Sequence, residues 1–306
     1  INQGFLSLRD IERLVKLNKP IVWTMHDMWP CTGICHHARD CEKFQTECES
    51  CFFLKSKGKD LSTSVFDKKM SLYKDANITF VGCSRWLSGR AKKSYLLRGK
   101  AVLSIPNPID TKVYHPMDQG MARELLGLPS GKRLLLFGAL NVTDKRKGID
   151  YLIEALRRME KQDVELVVFG QVKDDIRGLF PVPIHSMGYL SDESKIVALY
   201  NAVDMFITSS LEENLPNTIM ESMACGTPCV GFEIGGIPEM IDHRVNGYVA
   251  NYKDAGDLAN GIQWVLEHED RLALSDACVK KVQENYTEEV VAKQYTALYE
   301  KLLKGE

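Results

Sequence analysis

Short apolar runs alternate with amphipathic helical patterns along almost the whole chain, and no other property limits the fold as tightly. Strand-type runs are read near 20–26, 78–83 and 101–105, with helical patterns near 62–75 and 85–96 between them. After Pro106-Asn-Pro-Ile-Asp and a polar segment around 117–131, a fuller series follows, with strands near 133–138, 164–169, 183–187, 204–209, 228–232 and 247–250. Parallel neighbours need a crossover, usually a helix, so this alternation implies parallel sheets. The fold class is therefore α/β, with a thin three-stranded domain followed by a complete doubly wound one. Helices near 254–267, 270–284 and 288–303 close the chain, the last offering Val290, Val291, Ala297, Leu298 and Leu302 for burial. The expected division is 1–116 with a cysteine-rich insert at 31–58, then 117–287, then a C-terminal helix at 288–306 that packs back on the N-terminal domain.

With 306 residues, 44% of them hydrophobic and 26% charged, the chain is long enough for two cores. A net charge of −2 supplies no basic field over a whole face, so nucleic acid is not an expected partner. No apolar run approaches the roughly 20 residues of a membrane span, and Ile-Asn-Gln-Gly-Phe-Leu-Ser-Leu at the start lacks a basic leader region, so a cytoplasmic location is expected. Leu6 to Leu17 already reads as an amphipathic helix leading into a strand, as if the chain opened partway into a domain.

In a parallel α/β sheet, ligands bind at the carboxyl ends of the strands. Glu213 lies on the loop after one such strand and Glu221, eight positions later, on the following helix. Two carboxylates aimed at one cleft suit a polyhydroxylated ligand, whose vicinal hydroxyls need acceptors, and a sugar nucleotide is the simplest choice. The plainer reading is a helix-start charge and a solvated helical Glu. Against it, Ile219, Met220, Met223 and Ala224 make the helix apolar around Glu221, so that a buried carboxylate there needs a partner. Lys145, Arg146 and Lys147 precede a helix opening at Ile149, a phosphate-binding arrangement or else a solvated basic turn. Gly235 and Gly236 stand between a strand and a helix, which lets backbone amides approach a pyrophosphate but also fits a tight turn.

These residues, together with Met223-Ala-Cys-Gly-Thr-Pro-Cys-Val-Gly, Arg146-Lys147-Gly148 and Gly235-Gly-Ile-Pro-Glu-Met-Ile, resemble glycosyltransferase family four, the retaining nucleotide-sugar enzymes of the GT-B fold. Thr24-Met-His-Asp-Met-Trp-Pro-Cys-Thr-Gly, Ser84-Arg-Trp-Leu and Pro106-Asn-Pro-Ile-Asp resemble its bacterial capsule and colanic-acid branch. The resemblance implies two Rossmann-like domains, the N-terminal one lacking roughly its first third. It implies transfer of a sugar from a nucleotide-diphosphate donor to a glycan or lipid-linked acceptor in cell-surface polysaccharide biosynthesis, with peripheral contact at the inner face of the membrane. It assigns His26 and Glu213 to catalysis, His26 across the cleft near the acceptor or leaving group. It assigns Gly138, Arg146, Lys147, Asn214, Leu215, Pro216 and Glu221 to the donor, with Glu221 on the ribose hydroxyls and Lys147 on the diphosphate. Many relatives carry an arginine where this chain has Ala139, which shifts part of the phosphate clamp to Arg146.

Breaking a glycosyl phosphate bond develops positive charge on the sugar and negative charge on the diphosphate. No two aspartates are spaced as Asp-x-Asp, so no catalytic metal is expected. Five of the nine cysteines fall between Cys31 and Cys51. Cys35, Cys41, Cys48 and Cys51 favour a structural tetrahedral zinc, with His36 or His37 as a substitute ligand, over two disulfides or free thiols. Cys83, Cys225, Cys229 and Cys278 read as packed thiols. Two other functions stay open: a nucleotide-sugar epimerase of the same fold, told apart by product analysis with donor alone, and a non-catalytic donor-binding fragment.

Overall fold

The computed structural model describes residues 6–141, 144–159, 163–171 and 177–305. The first five residues of the start read above, and Val142 and Thr143 of the basic loop, lie outside the described residues. The chain divides into two compact units: Ile1–Pro106 with Lys293–Glu306, and Asn107–Ala292.

The first unit holds α1 (Leu8–Val15), β1 (Ile21–Met25), α2 (Leu61–Tyr73), β2 (Ile78–Gly82), α3 (Arg85–Lys92) and β3 (Ala101–Ser104). Its three strands pair in parallel in the order β1-β2-β3. Every residue of the central strand β2 is buried, as expected for a parallel strand covered on both faces. Trp23 stacks on Phe80 with ring centroids 5.7 Å apart, and Tyr73 of α2 meets Phe80 edge-on at 5.4 Å. The last helix, α11 (Glu288–Lys304), reaches this unit, where the Tyr295 hydroxyl lies 2.8 Å from Thr24 Oγ1.

The second unit runs α4 (Gln119–Leu126), β4 (Arg133–Asn141), α5 (Ile149–Arg158), β5 (Val164–Gln171), β6 (Ile184–Gly188), α6 (Glu193–Ala202), β7 (Met205–Thr208), α7 (Asn217–Ala224), β8 (Cys229–Phe232), α8 (Ile237–Met240), β9 (Gly247–Ala250), α9 (Ala255–Leu266) and α10 (Arg271–Asn285). Its six-stranded sheet is parallel throughout in the order β6-β5-β4-β7-β8-β9. Apolar runs such as Leu134–Phe137 are buried on both sides, between α5 and α9 side chains (Leu152, Leu156, Leu258, Ile262) on one face and Tyr200, Ile219 and Met223 among the buried residues of the unit.

One element departs from the sequence reading. The polar segment around 117–131 contains helix α4, capped by Asp118 and stopped by Gly127 in the left-handed conformation. Its periodicity is inverted, for Met121 and Leu125 are 65% and 64% exposed while Arg123 is buried. Arg123 is buried because its guanidinium donates to the carbonyls of Ala202, Ser130 and Lys132 and pairs with Asp204 at 3.0 Å.

Candidate functional site

The sheet of the second unit grows in one direction from β4 through β5 and β6, and in the other through β7, β8 and β9. The loops after β4 and β7 therefore leave adjacent strands toward opposite faces, which opens a crevice at their carboxyl ends. The backbone fixes the two loops to each other: Leu211 N–H donates to the Arg146 carbonyl at 2.7 Å, and Ser209 Oγ donates to the Lys147 carbonyl at 2.9 Å. Gly148, at φ 64°, makes this approach possible, because a Cβ there would run into the Ser209 carbonyl oxygen. A third loop joins from β8, with Gly236 N–H donating to the Asn214 carbonyl at 2.5 Å. Gly235, at φ 60°, stands where a Cβ would strike the Glu213 carbonyl.

Across this rim Lys147 Nζ lies 2.6 Å from Glu213 Oε1, both side chains partly buried. Sequence positions 66 residues apart thus meet at the point where the strand order reverses. Asn214 and Leu215, next in sequence, are buried, and Pro216 is the residue from which α7 starts.

The helix starts around this rim differ from the rest. Ser or Asp side chains cap α1, α2, α3, α4, α6, α9 and α10. Helices α5, α7 and α8, which follow β4, β7 and β8, begin without a side-chain cap. Uncapped first-turn amides carry the positive end of the helix dipole and favour an anion.

Glu221, the fifth residue of α7, makes a separate contact: the Tyr200 hydroxyl donates to its Oε2 at 2.7 Å. Burial raises the Glu221 carboxyl above the ordinary value, an effect that the Tyr200 hydrogen bond partly offsets. Burial and the charge of Glu221 hold the Tyr200 phenol well above its usual range, and burial followed by the charges of Glu221 and Glu193 does the same to Tyr114. Tyr200 is the partner that the apolar setting of Glu221 demanded. Its ring packs edge-on against Phe169 at 6.2 Å, and the Phe169 ring occupies the space that a side chain at Gly138 would need. The absence of a side chain at Gly138 thus admits the Phe169 ring.

Arg146 is placed differently from Lys147. Its guanidinium is held by Asp144, with Nη2 to Oδ2 at 2.6 Å, and Asp144 also accepts from the Arg146 amide at 2.9 Å. That pairing lowers the Asp144 carboxyl and raises Arg146. Asp144 was not among the sequence candidates, although an Asp just before a short basic turn is the usual sign of a side-chain cap. Nothing in the sequence pointed to Tyr200 or Ser209.

In the first unit, His26 is exposed directly after β1. Asp27 accepts from the Trp29 amide at 2.8 Å and lies 2.8 Å from His36 Nδ1. The segment that follows is held from below by Lys69 of α2, a fully buried side chain. Its Nζ donates to the carbonyls of Trp29, Thr32 and Gly33 at 2.5, 2.9 and 3.0 Å and sits 3.4 Å from the Trp29 ring centroid. Burial pulls the Lys69 ammonium down to about 7.

All nine cysteines are free thiols. Burial pushes Cys48 up to about 11 and raises Cys35, each further raised by charge on neighbouring cysteines of the loop. The Cys35 and Cys48 thiols are therefore protonated at neutral pH as they stand. Among the described residues, no three His, Cys, Asp or Glu side chains are grouped as they would be around a metal ion. Cys83, Cys225, Cys229 and Cys278 are buried. No helix among the described residues is long and apolar enough to cross a membrane.

Residues 131–268 match the family model described as Glycosyl transferases group 1. N-acetyl-alpha-D-glucosaminyl L-malate synthase of Bacillus anthracis is 24% identical over 213 residues, covering 68% of this chain and 55% of that protein. N,N'-diacetylbacillosaminyl-diphospho-undecaprenol alpha-1,3-N-acetylgalactosaminyltransferase of Campylobacter jejuni is 33% identical over 118 residues, 38% of this chain and 31% of that one. The chain spans about half the length of the curated relatives it matches. Among solved structures, Anabaena HepE in complex with UDP superposes with a TM-score of 0.74 at 17% identity, over 96% of this chain and 77% of that one. Sucrose-phosphate synthase of Thermosynechococcus elongatus gives 0.70 at 21% identity, over 93% and 68%. These likenesses show the α/β fold of GT-B type.

Proposed function

Because residues 131–268 match the family model of the group 1 glycosyl transferases, we propose that the chain is a retaining glycosyltransferase that moves a sugar from a nucleotide-diphosphate donor to a glycan or lipid-linked acceptor in cell-surface polysaccharide biosynthesis. The observation that carries this reading is the Lys147–Glu213 pair at the reversal of the strand order, rimmed by three helix starts without side-chain caps. A diphosphate entering there offers Lys147 a stronger partner than one carboxylate and frees Glu213 to accept from sugar hydroxyls. Lys147 and the α5 amides then stabilise charge on the departing diphosphate, while Glu213 stabilises the positive sugar carbon. Glu221 accepts from the ribose hydroxyls, positioned by Tyr200. Arg146 contributes charge from the rim while Asp144 fixes its plane, and His26 acts on the acceptor side. HepE was solved in complex with UDP, and the Campylobacter relative is named for a diphospho-undecaprenol acceptor, so a UDP-sugar and a polyprenyl diphosphate-linked glycan are the first ligands to try.

Lys147→Ala and Glu213→Gln test the reading. Each is expected to lower turnover on the correct donor by about 10²–10³-fold, the usual effect of removing one transition-state contact. Lys147→Ala also abolishes the rise in melting temperature given by UDP. Unchanged turnover in either folded variant overturns the assignment, and an isomerised free sugar from donor alone identifies an epimerase instead.

A structural zinc on Cys35, Cys41, Cys48 and Cys51 is a separate part of the proposal, supported by their spacing in the sequence alone. It requires the thiols to move together and lose their protons. Metal analysis of the purified chain decides it: one zinc per chain, lost in Cys48→Ser/Cys51→Ser, supports the site, and a metal-free folded chain removes it. Turnover is expected to persist in excess chelator if the cysteine loop stays folded, since no step assigned here uses a metal.

A further inference from the structure

The net charge of −2 conceals a sharp division: residues 1–106 carry 18 Lys and Arg against 10 Asp and Glu, an excess of eight positive charges that the remainder of the chain reverses. Within that basic unit the cysteine-rich segment throws out a loop at Cys51–Lys57. Its base is closed where Ser50 N–H donates to the Gly58 carbonyl at 2.8 Å and Gly58 N–H donates to Ser50 Oγ at 2.9 Å. Asp60 braces it from inside, accepting from the Cys51 amide at 2.8 Å and from the Ser56 hydroxyl. At the tip of this braced loop, Phe52, Phe53 and Leu54 stand in sequence 45%, 45% and 39% exposed. The two rings lie 3.9 Å apart between centroids, with the exposed Arg39 guanidinium 5.9 and 5.4 Å from them. Lys55, Lys57 and Lys59 follow at once and are all exposed.

Three consecutive large apolar side chains exposed on a hydrogen-bonded loop are costly in water. Aromatic and leucine side chains flanked by lysines have a specific complement, the boundary between anionic lipid headgroups and acyl chains. We propose that the Phe52-Phe53-Leu54 tip inserts into the surface of an anionic bilayer, with Arg39, Lys55, Lys57 and Lys59 on the headgroups. This names the surface for the peripheral contact expected from the family resemblance, and it rests on the charge and shape of the first unit, independently of whether sugar transfer occurs. A second copy of the chain is a poor occupant, because it would bring two units with the same positive excess face to face. The acidic side chains of the same segment, Asp40, Glu42, Glu47 and Glu49, precede the tip, and Glu42 is engaged by Arg90 at 3.8 Å.

The test is co-sedimentation of the full chain with vesicles of phosphatidylglycerol and phosphatidylcholine, and with phosphatidylcholine alone. Binding is expected only with phosphatidylglycerol present, weakening as salt is raised. Phe52→Ser/Phe53→Ser/Leu54→Ser and Lys55→Glu/Lys57→Glu/Lys59→Glu should each reduce it by about tenfold or more, with melting temperature and UDP-induced stabilisation unchanged. The lysine variant alters only exposed side chains, so it remains informative if the apolar variant misfolds. Absence of binding by the parent chain, binding by both variants equal to the parent, or a dimer in sedimentation velocity that the serine variant dissolves would overturn the proposal. A chain that binds vesicles without responding to any nucleotide leaves this inference standing and removes the transferase reading.

Discussion

Glu221 shows how one side chain carries both a cost to stability and a proposed role. Its folded-state pKa lies above the unfolded value because burial disfavours the charged form. Between those two values the native chain binds more protons than the unfolded one, so stability falls as pH rises through that window, and the full cost is present above it. Glu221→Gln keeps an oxygen for the Tyr200 hydroxyl but removes the buried charge. It is expected to raise the melting temperature at neutral pH by about 3 °C, equivalent to about 1 kcal/mol, and to flatten the pH dependence of stability on the acid side. The same change should weaken UDP binding about tenfold by replacing a charge-assisted acceptor with a neutral one. Thermal melts across pH with and without UDP read both effects, and a variant less stable than the parent at neutral pH contradicts the burial argument. The need of Glu221 for a partner was legible in the apolar residues around it. The identity of that partner was not, since Tyr200 comes from another helix and only the packing of α6 beside α7 brings it within reach. The charge of Arg146 suggests a phosphate ligand, but a carboxylate two residues away holds its guanidinium.

At the scale of elements, the site depends on how closely three loops approach. Gly127 and Gly148 share nearly the same left-handed backbone, φ 64° in both, yet a Cβ at Gly127 would meet nothing while one at Gly148 would meet the Ser209 carbonyl. Gly127→Ala therefore incurs only the conformational penalty, about 1 kcal/mol. Gly148→Ala adds a clash that parts the β4 and β7 loops and draws Lys147 from Glu213. The expected outcome is a modest drop in melting temperature for Gly127→Ala with UDP binding intact, against a larger drop and loss of UDP binding for Gly148→Ala. Equal effects from the two would mean that the loop contact does not matter. The strands were legible because parallel strands buried on both faces leave continuous apolar runs, as in Leu134–Phe137 and Met205–Ile207. Helix α4 was not, because burial of Arg123 and exposure of Met121 and Leu125 reverse the pattern by which helices are read.

For the whole molecule, averages hid what mattered. A net charge of −2 argued against a basic surface, whereas the first unit has a large positive excess and an exposed apolar tip. The doubly wound character of the second unit was legible from the number and alternation of its strands. The meeting of Lys147 with Glu213 required the strand order itself, which a one-dimensional pattern does not contain. That order also bears on synthesis at the ribosome. Strand β4 is flanked by β5 on one side and β7 on the other, and β7 is the later in sequence. A nascent chain that has emerged only as far as β6 leaves the Leu135–Phe137 edge of β4 unpaired and open to a neighbouring polypeptide. Until residue 207 emerges that edge stays open, and a chaperone that shields it would act before the ligand crevice exists.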